Sequence, residues 1–393
     1  MASKGYREAS DSEPPAVWIV NTCAVTAEGA RKSRKAVRRC VSSGARVIVT
    51  GCAASLEDWT ARGAAGVFSN DEKPGIASWA CPDDGGAPVS FTASGLVRAP
   101  LKVQDGCRRY CSYCMVPYLR GRPYSRTVRD VLADAVALRE AGAREAVICG
   151  IDLGSYEGPE GEKLVDLVEA LLGMAPSMHL RLSSLAHSDI DDRLLALMAA
   201  DNNLCRHLHL PMQSGDARVL ADMRRGYTPR DFEQKVEEIR ASVPGVAVTT
   251  DVMVGFPTES EEAFDVTAAM LESLGFARVH VFRYSPRPGT KAFALGDPVS
   301  ALEKDRRSEV LRGIAAMNAG RFHARFVGRI MPVLVEATMK TEPGCVFART
   351  ESFVGVIIEG SRDLVGRSIV ARIKASNSDG LRAVPALGRQ GTL

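Results

Sequence analysis

The sequence predicts an α/β protein with three parts: an N-terminal βαβ domain, a partial (βα)6 barrel and a small antiparallel β-barrel. The first part is predicted from two apolar runs, 17–21 and 46–50, which flank a basic segment with helical spacing. The second is predicted from six further apolar runs that alternate with helical segments between residues 99 and 320. The third is predicted from short strand-like runs, separated by turn residues, that begin near residue 325.

The N-terminal domain is assigned to residues 1–85. Its helix carries six Lys/Arg between residues 31 and 39, and a third short strand is expected at 64–68. Cys23 and Cys52 each follow a predicted strand, at the carboxyl edge where open parallel sheets bind their ligands. Both cysteines are therefore candidate ligands.

The barrel domain is assigned to residues 93–322, after a turn-rich linker at 81–90. Its six strands are predicted at 99–104, 145–150, 179–185, 206–211, 246–254 and 277–283. Its helices are predicted at 128–141, 163–173, 189–199, 229–241, 259–273 and 300–320. In such a barrel, chemistry is expected at the strand ends and in the loops that follow them.

The C-terminal β-barrel is assigned to residues 325–388. Residues 320–393 hold 11 Lys/Arg against 6 Asp/Glu, and residues 102–129 hold seven Lys/Arg against Asp105 alone. Two basic regions fit a polyanionic partner, although a solvated charged face is the alternative. The chain has no apolar run of eighteen residues and no apolar signal core, so we expect a cytoplasmic protein.

Only three of the ten cysteines are closely spaced: Cys107, Cys111 and Cys114. Three thiolates on one loop can hold three corners of an iron–sulfur cubane and leave the fourth iron open to another ligand. The alternative is a structural zinc site. Zinc usually takes four protein ligands, and the nearest histidine in sequence is His179. The triplet therefore favours a 4Fe–4S cluster.

The segment that contains these cysteines, CSYCMVPYLRGRPYSR, resembles the methylthiotransferases of the radical S-adenosylmethionine superfamily, whose loop runs CxYCxxPYxRGxxxSR. Further segments match the family in the same order: NTCAVT, VTGCAA, LRLSSL, HLHLPMQSG, MRRGYT, DVMVGFPTES and FRYSPRPGTKA. The resemblance covers nearly the whole chain. It implies a radical S-adenosylmethionine core in the partial barrel and an RNA-binding TRAM domain at the C-terminus.

The resemblance also implies the cofactors: S-adenosyl-L-methionine and two 4Fe–4S clusters. Cys107, Cys111 and Cys114 would hold the cluster that binds S-adenosylmethionine, from which a 5′-deoxyadenosyl radical forms. Cys23 and Cys52 match two of the three ligands of a second, sulfur-donating cluster. The third ligand and the opening strand of that domain are not found, so we expect a domain truncated at its start. Formation of the second cluster then stays open, and we expect weak sulfur insertion.

Two further groups of residues are candidates for binding. Strand-end residues that could shape the cofactor site are Gly150, Ser183, Ser184, Gln213 and Gly255, with ordinary turn roles as the alternative. Residues that could bind tRNA phosphates are Arg120, Arg122 and Arg126, with a solvated basic loop as the alternative. Two histidines, His207 and His209, alternate on one strand and are expected to form hydrogen bonds inside the barrel.

Within the family, the segments LRLSSL, HLHLPMQSG and MRRGYT are most similar to the branch that modifies N6-threonylcarbamoyladenosine at position 37 of tRNA. The alternatives are N6-isopentenyladenosine in tRNA and an aspartate of a ribosomal protein. The expected partners are tRNA, an electron donor such as flavodoxin or ferredoxin, and a sulfur source. A non-catalytic RNA-binding protein that lacks the second cluster is a further alternative, and formation of 5′-deoxyadenosine would separate it from an enzyme.

Overall fold

A computed structural model of the chain describes residues 15–80, 96–174 and 177–386. These residues form two compact units, each described by itself below. The N-terminal unit comprises the described parts of Met1–Phe91, Gly106–Arg122 and Ser285–Phe293. The barrel unit comprises those of Thr92–Asp105, Pro123–Tyr284 and Ala294–Leu393. Within the described ranges, no helix is both long enough and apolar enough to cross a membrane.

The N-terminal unit contains the predicted βαβ layer. Its elements are β1 (Val17–Thr22), α1 (Ala27–Ser42), β2 (Arg46–Gly51), β3 (Gly66–Val67), α2 (Ile76–Ala80) and, on a later segment, α3 (Val116–Arg120). The three strands are parallel in the order β1-β2-β3. Thr26 caps α1 by accepting a hydrogen bond from the Gly29 amide. Helix α1 then buries Val37 and Cys40 against the sheet, which leaves its basic residues on the opposite face.

The barrel unit contains six parallel strands that alternate with helices, as predicted. Its strands are β4 (Arg98–Lys102), β5 (Gln104–Asp105), β6 (Tyr124–Ser125), β7 (Glu145–Cys149), β8 (His179–Leu182), β9 (His207–His209), β10 (Ala247–Val254) and β11 (Arg278–Arg283). Its helices are α4 (Val128–Glu140), α5 (Leu164–Met174), α6 (Asp192–Ala200), α7 (Ala217–Asp222), α8 (Pro229–Ser242), α9 (Glu261–Leu274) and α10 (Ala301–Ala324). Strands β5 and β6, which form a short hairpin, and helices α2, α3 and α7 were not predicted.

Two three-stranded sheets make up the partial barrel. Their orders are β4-β7-β8 and β9-β10-β11, and isolated parallel bridges, such as the one from Ser184 to His209, join β8 to β9. Along β10, Val248 and Val252 belong to the main apolar core, whereas Asp251 points to the opposite side of the sheet. Polar side chains therefore accumulate inside the partial barrel, and apolar ones pack between the strands and the helices.

The C-terminal β-barrel is closed and belongs to the barrel unit. Its strands are β12 (Ile330–Thr338), β13 (Cys345–Arg349), β14 (Gly355–Glu359), β15 (Ser368–Ser376) and β16 (Leu381–Pro385). The order is β12-β13-β14-β16-β15, and the pairing of β14 with β16 is parallel while the others are antiparallel. The predicted fold class is confirmed. The domain boundaries 1–85, 93–322 and 325–388 stay predictions, and their outer parts lie outside the described residues.

Candidate functional site

Two cysteines lie at the carboxyl edge of the N-terminal sheet, which we call the thiol edge. Cys23 directly follows β1 and Cys52 directly follows β2, and these parallel strands pair Thr22 with Gly51 at their last position. The Cys52 amide donates a hydrogen bond to the Thr22 carbonyl at 3.0 Å, so the strand ends stay in register up to the cysteines. The fold thus brings two thiols that are distant in sequence to one edge, where parallel sheets place ligand-binding groups.

Glycines make room at the thiol edge. A Cβ atom on Gly29, in the first turn of α1, would lie 2.9 Å from the Cys23 Sγ atom. Gly51 has a φ of +97°, and a Cβ atom there would lie 2.4 Å from the Thr22 carbonyl oxygen. Such contacts are closer than side chains tolerate, so glycine is required for the helix and the two strand ends to meet here. The Cys23 amide is held by the Ser33 hydroxyl at 2.9 Å.

The cysteine triplet lies on a loop of the same unit. The loop is closed by a hydrogen bond from the Cys107 amide to the Gly121 carbonyl at 3.2 Å, and a turn links the Cys114 amide to the Cys111 carbonyl at 3.0 Å. All three cysteines are half-buried. Gly106, just before the triplet, has a φ of +77°, and a Cβ atom there would lie 2.1 Å from the Arg122 carbonyl oxygen. The tight closure of the loop therefore depends on glycine at that position.

Arg120 reaches the thiol edge from the end of the triplet loop. Its Nε atom lies 3.3 Å from the Cys52 Sγ atom, and the Asn70 amide lies 4.0 Å from the same sulfur. The Asn70 amide also donates to the Leu119 carbonyl at 3.4 Å, which ties the segment after β3 to α3. The structure thus places a cation against Cys52. Sequence reasoning missed this contact because Arg120 and Cys52 are far apart in the chain.

A second arginine, Arg287, lies near Cys23. Its Nε atom donates to the Val25 carbonyl at 3.4 Å, while its buried Nη2 atom has no hydrogen-bond partner in the described parts of the chain. Burial lowers the pKa of Arg287, the Cys23 thiol acts against that shift, and Arg34 adds to it. A buried guanidinium nitrogen without an acceptor is costly, so its presence beside a thiol favours an anionic ligand at this edge.

The donor chemistry of both cysteine groups fits iron–sulfur clusters, which are bound by thiolates. Among residues 15–80, 96–174 and 177–386, no three His, Cys, Asp or Glu side chains surround one point as ligands of a single metal ion. In a cubane, however, each thiolate binds a different iron, so the sulfur atoms need not converge. At the thiol edge, Arg120 lies against Cys52 and Arg287 near Cys23, so an anionic cluster bound there would have positive charge beside it.

Two of the predicted cofactor-binding residues carry buried oxygen atoms that lack a partner. These atoms are the Ser183 hydroxyl, just after β8, and the Gln213 side-chain carbonyl, neither of which meets a donor within the described structure. Gln213 also has a φ of +67°, a strained conformation for a non-glycine residue. Its backbone amide donates to the Asp251 carbonyl at 2.8 Å, which fixes the strained residue beside β10. Both oxygen atoms fit a ligand with hydroxyl or amino donors, such as S-adenosylmethionine.

The other three predicted cofactor residues have steric or backbone roles. A Cβ atom on Gly150 would lie 2.9 Å from the Gln104 Oε1 atom, and one on Gly255 would lie 2.4 Å from the Lys304 Cγ atom. The Gly255 amide donates to Glu259 at 2.6 Å. Ser184 is exposed and forms the bridge that joins the two halves of the barrel. Contact of these residues with a cofactor stays a prediction.

The three arginines predicted to bind phosphates lie in different environments. Arg120 contacts Cys52, as described above, and Arg122 is exposed. Arg126 pairs with Asp134 at 2.7 Å and donates to the Lys102 carbonyl at 3.1 Å. Intramolecular contacts therefore already engage two of the three guanidinium groups. Their binding to tRNA stays a prediction.

Sequence reasoning missed a polar cluster inside the partial barrel. The Asp251 carboxylate lies 3.2 Å from His209 Nε2 and 3.3 Å from His280 Nδ1. Burial opposes ionisation of Asp251, but its hydrogen bonds with the two histidines hold its pKa below the usual range. The Thr249 hydroxyl forms hydrogen bonds with His207 at 3.0 Å and with His209 at 2.9 Å. The prediction that these histidines form hydrogen bonds inside the barrel is therefore confirmed. The sequence feature that could have predicted this cluster is the aspartate, Asp251, within the otherwise largely apolar strand β10.

The chain matches two known sequence families. The profile described as the radical SAM superfamily matches residues 101–271, and that of the uncharacterized protein family UPF0004 matches residues 1–67. The threonylcarbamoyladenosine tRNA methylthiotransferase MtaB of Chlamydia pneumoniae is 37% identical over 346 residues, which cover 84% of this chain and 80% of that protein. The protein of the same name from Bacillus subtilis (strain 168) is 30% identical over 402 residues, which cover 94% and 88%.

Other relatives carry a different name. The tRNA-2-methylthio-N(6)-dimethylallyladenosine synthase of Alkalilimnicola ehrlichii is 35% identical over 289 residues, which cover 72% of this chain and 64% of that protein. Among solved structures, the radical S-adenosylmethionine methyltransferase TsrM of Kitasatospora setae, with cobalamin and an iron–sulfur cluster bound, gives a TM-score of 0.55 at 15% identity. That match covers 72% of this chain and 66% of TsrM and indicates a shared fold.

Proposed function

Because the chain belongs to the radical S-adenosylmethionine methylthiotransferase family, we propose that it adds a methylthio group to C2 of N6-threonylcarbamoyladenosine at position 37 of tRNA. As a member of this family it is a transferase that uses a 4Fe–4S cluster and S-adenosyl-L-methionine. The choice of nucleoside is based on similarity to the Chlamydia pneumoniae protein, which is 37% identical over 84% of this chain. The dimethylallyladenosine synthase of Alkalilimnicola ehrlichii is 35% identical over 72% of it.

In this proposal Cys107, Cys111 and Cys114 hold the cluster and leave one iron open for S-adenosylmethionine. When bound, the cluster supplies the electron that cleaves S-adenosylmethionine and so generates the radical that reacts with the nucleoside. The protein would position the cluster: the hydrogen bond from the Cys107 amide to the Gly121 carbonyl closes the loop that carries the three cysteines. In the barrel unit, the unpartnered oxygen atoms of Ser183 and Gln213 support a role in binding S-adenosylmethionine.

The proposal extends to a second cluster at the thiol edge, with Cys23 and Cys52 among its ligands and the transferred sulfur as its contribution. The contact of Arg120 with Cys52 and the unpartnered Nη2 atom of Arg287 support it, because both place positive charge where an anionic cluster would bind. A second S-adenosylmethionine as methyl donor, a sulfur source and an electron donor such as flavodoxin or ferredoxin would complete the proposed reaction. The basic C-terminal barrel would contact the tRNA.

Modification of N6-dimethylallyladenosine is the second candidate. It is favoured by relatives such as the Syntrophomonas wolfei synthase, which is 38% identical to this chain over 275 residues. The match covers 62% of that synthase. The two candidates share the radical chemistry and differ only in the group on N6. A direct comparison of the two tRNA substrates therefore decides between them.

The test is a single-turnover assay under anaerobic conditions with reconstituted protein, S-adenosylmethionine and dithionite. Two tRNA substrates are compared, one with N6-threonylcarbamoyladenosine and one with N6-dimethylallyladenosine, and nucleosides and 5′-deoxyadenosine are measured by mass spectrometry. We expect a methylthio product from the first substrate. Cys107→Ala should abolish 5′-deoxyadenosine formation, whereas Cys345→Ala, in the C-terminal barrel, should not. Product from the second substrate alone would reverse the choice of nucleoside, and wild-type protein that forms no 5′-deoxyadenosine would contradict the enzyme assignment.

A further inference from the structure

Helix α1 borders a cavity of about 450 Å³ with strongly positive walls, which we call the α1 cavity. Apart from Val37, the residues that line it are all cationic: Arg31, Arg34, Lys35, Arg38 and Arg62. The cavity lies wholly within the N-terminal unit. None of these five side chains has a role in the chemistry proposed above.

Carboxylates compensate only part of this charge. Glu57 pairs with Arg34 at 2.7 Å and with Arg62 at 3.2 Å. Glu28 pairs with Arg31 at 2.7 Å, on an exposed part of the helix. In the described parts of the chain, neither Lys35 nor Arg38 has a carboxylate within ion-pair distance. The cavity therefore keeps an excess of positive charge.

The arrangement is unfavourable for an isolated helix. Arg31, Arg34, Lys35 and Arg38 follow the spacing i, i+3, i+4 and i+7, which places them on one helix face, where like charges repel one another. The opposite face is buried through Val37 and Cys40, so the packing of α1 holds these cations together on the face that borders the cavity. A bound polyanion would remove this repulsion, and the gain would appear as binding free energy.

We propose that the α1 cavity binds successive phosphates of the tRNA backbone. From Arg31 to Arg38 the cations extend over about 10 Å of the helix, which is longer than one phosphate group and suits a chain of them. Arginine side chains are also well suited to bind phosphate oxygens in pairs. This inference rests on the proposed function, because it takes the RNA to be the substrate tRNA. It adds a contact site that is separate in sequence from the basic C-terminal barrel.

The test compares wild-type protein with the triple variant Arg31→Gln/Lys35→Gln/Arg38→Gln in tRNA-binding measurements between 50 and 300 mM salt. Log affinity falls as log salt rises, and loss of three phosphate contacts should make this line shallower by about 2 units of slope. Binding at low salt should weaken roughly tenfold or more. Thermal unfolding without RNA should occur at the same or a higher temperature, because the substitutions remove repulsion between exposed groups. Formation of 5′-deoxyadenosine without tRNA should not change.

A variant with the same charge change, Arg218→Gln/Arg230→Gln/Arg312→Gln, serves as the control, since these arginines are exposed on other helices and lie outside both basic regions. If both triple variants bind tRNA with the wild-type slope, the α1 cavity is not an RNA site. An equal loss in both variants would attribute the effect to net charge and also overturn the inference. Loss of binding to phosphatidylserine vesicles with unchanged tRNA binding would assign the cavity to a membrane surface instead. Wild-type protein that binds no tRNA would contradict the proposed function itself.

Discussion

Two arginines with buried guanidinium nitrogens, one in each unit, differ in the hydrogen bonds that these nitrogens make. In the barrel unit, Arg181 donates to both oxygens of Glu145, at 2.7 and 2.9 Å, and to the Glu351 carbonyl at 2.8 Å. In the N-terminal unit, Arg287 has one long contact, 3.4 Å to the Val25 carbonyl, and a buried Nη2 atom without an acceptor in the described structure. The first guanidinium is fully satisfied by the protein, and the second is not.

This difference indicates that Arg181 has a structural role, whereas Arg287 is suited to bind an anionic ligand. A buried ion pair with all its hydrogen bonds made fixes the packing around it and needs nothing further. A buried guanidinium nitrogen without an acceptor, such as Arg287 Nη2, costs free energy unless an anion is bound, and the candidate anion is a cluster at the thiol edge. Substitutions at Glu145 and at Arg287 should therefore have different consequences.

Removal of the carboxylate that satisfies Arg181 should destabilise the protein strongly. Glu145 also pairs with Arg98 at 2.7 Å, so Glu145→Gln leaves the buried Arg181 without its paired carboxylate and leaves Arg98 with only Glu336, at 3.4 Å. We expect the free energy of unfolding in urea to fall by about 3–5 kcal/mol. The control is Glu169→Gln, which breaks an exposed pair with Arg193 and should cost no more than about 1 kcal/mol. Equal small losses in both variants would show that Arg181 is not held by this pair.

The same carboxylate predicts a dependence of stability on pH. Burial raises the pKa of Glu145, but hydrogen bonds and charge from Arg181 and Arg98 outweigh burial and lower it from 4.5 to about 2. Because the folded-state value is depressed, this stabilisation is complete above pH 4.5 and is lost as the pH falls towards 2. The shift corresponds to about 3 kcal/mol. The difference in unfolding free energy between wild type and Glu145→Gln should therefore shrink below pH 4.5, and a constant difference from pH 6 to pH 3 would contradict the depressed pKa.

Much of the fold followed from local patterns, whereas contacts across the chain did not. The alternation of apolar runs and helical segments predicted all six strands of the partial barrel, and Cys23 and Cys52 were placed correctly because each ends a parallel strand. Hairpin β5–β6 escaped prediction because its strands have two residues each.

The contact of Arg120 with Cys52 and that of Asp251 with His280 also escaped prediction. They depend on how segments pack and on strand register, which are set by tertiary structure and leave no local signature.

The unsatisfied arginine gives the last prediction. If Arg287 stabilises an anionic cluster at the thiol edge, Arg287→Gln should weaken iron binding there without affecting folding, because groups next to metal ligands typically change metal affinity by about tenfold or more. The measurement is made in a Cys107→Ala/Cys111→Ala/Cys114→Ala background, in which only the thiol edge can hold a cluster. Iron and sulfide per chain are followed after anaerobic reconstitution and gel filtration, together with the reduction potential. We expect faster loss of iron and a more negative potential.

Arg283→Gln is the matched control, since Arg283 is exposed and pairs with Asp305. Both single variants should unfold within about 0.5 kcal/mol of the parent, as is usual for changes outside the core. If Arg287→Gln instead lowers stability as Glu145→Gln does and leaves iron retention unchanged, Arg287 is a structural charge like Arg181. The contrast between the two units would then disappear. If iron is lost only from Arg287→Gln, the unpaired nitrogen marks the position of the cluster that it was inferred to face.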